Sequence, residues 1–113
     1  MRIIALAAVA ASLAVPAAAD ETWLLPEAGI YCPAHGENVL PISITPTHGM
    51  GIDGLDCPTV RLSRGRVRSP MCWANGGSRV DLDTDLLVLP SGSMIHDSVV
   101  FRRWRGPLPC PVN

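Results

Sequence analysis

His48-x-Met50 and Met94-x-His96 place two imidazoles and two thioethers in short patterns of the same kind. Soft sulfur combined with imidazole suits Cu(I). If the two patterns lie on adjacent β loops, His48, Met50, Met94 and His96 form a copper site, with Met71 as a further sulfur. The plainer expectation is that the methionines fill gaps in a small core and the histidines sit on loops. A second constellation is cationic. Arg61, Arg64, Arg66 and Arg68 fall within eight residues, and Arg102, Arg103 and Arg105 form a second group. Such a patch points to an acidic protein surface, an anionic glycan or a lipid headgroup, and its bland counterpart is a solvated, salt-bridged face.

Two further patterns carry less. Asp81-Leu-Asp83-Thr-Asp85 begins like a calcium loop, but Leu86 stands where the tight turn needs Gly and Gly92 stands where a chelating Glu belongs. Cys32-Pro-Ala-His35 pairs a thiol with an imidazole, although an exported chain is expected to hold Cys32 in a disulfide. No Ser/His/Asp order has supporting context, and no glycine-rich phosphate loop follows a strand. No catalysis and no cofactor are expected.

These residues have to be positioned outside the cytoplasm. Arg2, the apolar stretch from Ile3 to Val15, Pro16 and Ala17-Ala18-Ala19 read as a signal peptide cleaved after Ala19. The apolar stretch is short of the roughly 20 residues a bilayer span requires. Cleavage leaves one domain, 20–113, of 94 residues, with no membrane span. It carries eight arginines, no lysine and ten acidic residues, a balance that excludes a globally basic nucleic-acid binder. A domain of this size gains modest stability from its core, so Cys32, Cys57, Cys72 and Cys110 read as two disulfides. No CxxC pattern supports zinc or redox chemistry. Fourteen residues separate Cys57 from Cys72, which suits a hairpin staple. We favour Cys57–Cys72 with Cys32–Cys110. Cys32–Cys57 with Cys72–Cys110 stays open.

The elements are all β. Trp23, Leu24 and Leu25 are expected to cover one end of the core, and Ile30 to Cys32 to start a strand. Val39 to Thr45 alternates Leu40, Ile42 and Ile44 against polar positions, with Pro41 arguing for an edge strand. Met50 to Asp53 reads as a short strand or bulge among closely spaced glycines. Leu55 to Leu62 and Arg66 to Trp73 read as arms of a hairpin tipped by Ser63-Arg64-Gly65. Val80, Leu82, Thr84, Leu86 and Val88 share one face of a long strand whose other face bears Asp81, Asp83 and Asp85. Ser98 to Arg105 closes the set. No stretch shows a helical apolar stripe, so the expected fold is a small antiparallel meander closing into a barrel or sandwich.

Ile42-x-Ile44-Thr45-Pro46, then Gly51-Ile52-Asp53-Gly54-x-Asp56-Cys57, then Cys72-Trp73, then a last strand ending at Arg103-Trp104, resembles small exported four-cysteine all-β proteins of Gram-negative bacteria. The resemblance spans Ile42 to Trp104 and implies a fold and an exported location; it brings no activity or ligand. The His/Met patterns have a faint likeness to periplasmic copper chaperones of cupredoxin-like fold, with different spacing and Met-x-His in reversed order. The expected function is therefore a periplasmic or secreted disulfide-stabilised binding domain, with Cu(I) binding as the alternative.

Overall fold

The computed structural model describes residues 20–113; the signal-peptide expectation lies outside them. A single turn of 3₁₀ helix, Thr22–Leu24, precedes ten strands: β1 Gly29–Pro33, β2 Ile42–Ile44, β3 Met50–Ile52, β4 Leu55–Cys57, β5 Arg61–Ser63, β6 Arg66–Trp73, β7 Arg79–Asp85, β8 Leu87–Val88, β9 Met94–His96 and β10 Val99–Trp104. Every pairing is antiparallel, in the order β5-β6-β4-β3-β2-β1-β10-β9-β8, with β7 on β6. The sheet curls into a half-barrel. Its two flanks are joined by one run of chain. β7 lies on β6, and after Leu86 the same run continues as β8 on β9.

Alternating side chains explain the curl. Ile42, Ile44, Met50, Ile52, Leu62 and Val67 point to the concave side and are buried with Tyr31 and Phe101. Three tight hairpins set the register. Asp53-Gly54, Arg64-Gly65 and Asp97-Ser98 each fill a two-residue loop, between the pairs Ile52↔Leu55, Ser63↔Arg66 and His96↔Val99. All six loop residues have positive φ, between 50° and 79°. That is the geometry whose twist matches paired strands. Ser98, at φ 65°, sits where the first two loops carry glycine. Ser98→Gly is expected to raise stability by about 0.5–1 kcal/mol, read as a higher urea midpoint, because an L side chain is strained there.

Both favoured disulfides are present, Cys32–Cys110 and Cys57–Cys72, with Cα–Cα distances of 5.7 and 4.2 Å. The register Asp56↔Trp73 puts Cys57 opposite Cys72, so the inner bridge spans β4 and β6. The outer bridge fastens the tail to β1, whose antiparallel neighbour is the last strand, β10. Asn113 adds its N–H to the Gly36 carbonyl at 3.0 Å.

Several expected boundaries differ. Pro58, which lacks an N–H, splits the first hairpin arm into β4 and β5. Pro70 falls where the β6–β7 register shifts, between Ser69 and Cys72, and Ser69 Oγ accepts the Met71 N–H instead. β2 is interior, paired with β1 and β3, and Pro41 lies just before it, so Leu40 stands 60% exposed outside the sheet. Trp23 is 74% exposed and only Leu25 of that trio packs on the core; the buried residue of the turn is Thr22. It is drawn inward because its Oγ1 accepts the Leu62 N–H at 3.2 Å on the outer edge of β5.

Candidate functional site

The Arg64-Gly65 loop fixes which way every side chain of the β5–β6 hairpin points. Leu62 and Val67 face the core, so their neighbours Arg61, Arg66 and Arg68 face solvent, with Arg64 at the tip. The expected three-residue tip would have shifted this pairing by one and changed which arginines meet. The observed register sets Arg61 directly opposite Arg68. Arg68 in turn faces Asp83 of β7. Arg66 Nε donates to Asp83 Oδ1 at 2.9 Å, and Arg68 Nε reaches the same oxygen at 3.3 Å. The Arg66 hydrogen bond, with the charges of both arginines, holds the Asp83 carboxyl below the usual carboxylate range. One carboxylate therefore serves two guanidiniums. Arg61 and Arg64 form no ion pair among the described residues.

The three carboxylates of β7 do not act together. Asp83 belongs to the arginines, Asp85 accepts the Asp97 N–H at 2.9 Å, and Asp81 is exposed without a partner among the described residues. No group of three or more His, Cys, Asp or Glu side chains among the described residues is disposed to hold a metal.

The His/Met residues are also dispersed. Met50 and Met94 are fully buried in the core. His48 is exposed on the β2–β3 turn, before β3 begins, whereas His96 contacts Asp53, just after β3 ends. The two imidazoles thus serve opposite ends of one strand. Met71, 41% exposed, sits at the β6 irregularity. His35 lies by Cys32, but the sulfur is committed to Cys110 and the chain there is held by Glu37 and Asn113.

His96 forms a compact polar node that neither its sequence neighbours nor the metal reading discloses. Its ring is 6% exposed, with Nδ1 2.8 Å from the Asp85 carbonyl and Nε2 3.0 Å from both oxygens of Asp53. Both partners are acceptors, so the ring satisfies them only by donating from both nitrogens, as an imidazolium. Burial opposes that charge, but the Asp53 hydrogen bond, helped by the Asp85 carbonyl, outweighs it and raises the His96 pKa above its ordinary value. The node ties the Asp53-Gly54 and Asp97-Ser98 hairpins to the end of β7. The Asp-Gly dipeptide could have located the first of these turns in sequence; the contact to His96 comes from the curl of the sheet.

The second arginine group is divided. Arg103 Nη1 donates to Glu27 Oε1 at 2.8 Å, a pairing across the chain's first and last segments. Arg102 shares with His35 the lining of an open hollow of about 510 Å³ beside the outer disulfide.

Two disulfides in so small a β domain fit an oxidising, extracytoplasmic environment. No known protein family, curated protein or solved structure matches this chain.

Proposed function

We propose that this chain is an exported, disulfide-stapled binding domain that engages an acidic partner through the arginine face of its β5–β6 hairpin, without turnover. The observation that carries this reading is the charge surplus. Arg61, Arg64, Arg66 and Arg68 share a face on which Asp83 alone forms ion pairs with arginine among the described residues. Arginine suits such a role because its planar fork binds oxyanions through paired donors. The hairpin presents it rigidly, since the strands beneath are fixed by the Cys57–Cys72 bridge and by β7. A signal peptide ending at Ala19 would deliver the domain to the periplasm or beyond, where both disulfides form.

Retention of the unreduced domain on a sulfated polysaccharide resin tests this reading. The wild-type protein should elute at rising salt, as a screened charge interaction does. Arg61→Gln with Arg64→Gln should weaken binding roughly tenfold for each charge-assisted hydrogen bond removed. The thermal midpoint should be unchanged or slightly raised, because both side chains are exposed and Arg61 stands opposite Arg68. Equal elution of wild type and variant counts against the proposal, as does passage of both through the resin at low salt.

A further inference from the structure

We propose that the hollow between the β2–β3 turn and the β5–β6 strands is a receptor for one phosphate or sulfate ester group, and that this is where the arginine face grips its partner. The proposal rests on the binding reading of that face and gives it a chemistry. The hollow measures about 690 Å³ and is lined by Arg61, Arg68, His48, Thr47, Thr59 and Asp20, among others.

Three features converge. Arg61 and Arg68 are register partners on adjacent strands, so their side chains leave the same face from Cβ atoms about 5 Å apart. Like charges placed so are destabilising unless something negative lies between them. Arg68 reaches Asp83 through Nε, which leaves the two terminal nitrogens of its fork for a second oxyanion; Arg61 has no ion pair among the described residues.

His48 supplies the second feature. Its φ is 64°, a left-handed backbone in a residue with a side chain. Main-chain bonds impose it: the His48 N–H donates to the Thr45 carbonyl at 3.1 Å, and the His48 carbonyl accepts the Val60 N–H at 3.1 Å. The clamp fixes the His48 backbone at the hollow that Arg61 and Arg68 also line.

The third feature is the set of neutral donors, the Thr47 and Thr59 hydroxyls. Two guanidinium forks, an imidazole and two hydroxyls offer more donors than a carboxylate has oxygens, and they suit the three terminal oxygens of a phosphate or sulfate monoester. The volume leaves room for the group that carries the ester. Asp20 is the opposing charge. Its carboxylate accepts the Thr22 N–H at 3.0 Å and the Thr22 hydroxyl and also feels the Arg61 charge, so a bound anion competes with it for that arginine. Cleavage after Ala19 would also set the new α-ammonium group beside it.

The test is an amide-resolved NMR titration of the unreduced domain with glucose 1-phosphate, inorganic phosphate, inorganic sulfate and acetate. Saturable shifts are expected at Thr47, His48, Thr59, Arg61 and Arg68 for the tetrahedral anions, with acetate binding at least tenfold more weakly. Arg61→Gln and Arg68→Gln should each weaken binding about tenfold, and Arg102→Gln, far along the chain in another hollow, should leave it unchanged. His48→Gly separates binding from folding: it relieves the left-handed backbone, so stability holds or rises while affinity falls severalfold. Tighter binding of the sugar ester than of inorganic phosphate identifies an esterified partner; equal binding identifies the free anion. Both uphold the site. Acetate binding as tightly as phosphate overturns it, and so do shifts that avoid the hollow or ignore Arg61→Gln. If those negative results come with salt-dependent retention on the polysaccharide resin, the hollow is wrong and the arginine face stands; without retention, both fall.

Discussion

Replacing Cys32 and Cys110 together by alanine should lower the free energy of unfolding by about 4.5 kcal/mol, by the chain-entropy relation for a loop as long as their separation of 78 residues. The corresponding pair Cys57→Ala and Cys72→Ala closes a separation of 15 and should cost about 3 kcal/mol by the same relation. Small domains have about 5–15 kcal/mol in total, so the first variant should stand close to unfolding at physiological temperature. The ordering is informative because burial runs the other way. Cys57 and Cys72 are wholly enclosed in the core, whereas Cys110 is only half-buried in the tail. Urea midpoints for the two variants decide it. A larger loss for the inner pair would mean that packing around the sulfurs outweighs chain entropy.

The stability of the domain should also fall as pH rises above about 6.5, through His96. The unfolded histidine titrates near 6.5, and in the folded domain its pKa lies above that value. The stabilisation is complete below the unfolded pKa and is lost as pH passes through the folded one. Above it the neutral ring has one N–H for two acceptors, so either Asp53 or the Asp85 carbonyl meets a lone pair. His96→Leu should cost about 2 kcal/mol at pH 5.5, a typical value for hydrogen bonds to a charged group. The open side of the node, where Asp53 is 57% exposed, keeps the figure below that of a fully buried ion pair. The same variant should flatten the pH profile above about 6.5. A wild-type urea midpoint that does not change over this range, or that rises, contradicts the imidazolium assignment.

Much of this architecture was legible in the residues. Turn dipeptides and alternation marked an antiparallel all-β chain, and the favoured disulfide pairing is the one formed. The expected inward face of the long strand holds in part: Leu82, and Leu86 just past the end of β7, are buried with Asp81, Asp83 and Asp85 outside. Val80, however, is exposed, and the run breaks into β7 and β8 at Leu86. What escaped was long-range placement. The hydrophobic period ran on through Leu40 although the chain has left the sheet there, because period alone does not register where a proline ends pairing. The pairing of Arg61 with Arg68 hinged on a two-residue rather than three-residue tip, a difference of one position that alternation cannot fix. His48 and His96 resembled each other as motifs, yet β3 holds them at opposite ends. His96 found Asp53 and Asp85 only because three chain segments curl together.

The two disulfides are nested, Cys57–Cys72 lying within the span of Cys32–Cys110. A single proteolytic cut at any bond between Cys32 and Cys110 therefore leaves one covalent molecule, and a cut between Cys57 and Cys72 leaves its halves joined twice. Exposed hairpin tips such as Arg64-Gly65 invite trypsin-like cleavage, and a nicked copy would stay covalently whole until its bridges were reduced.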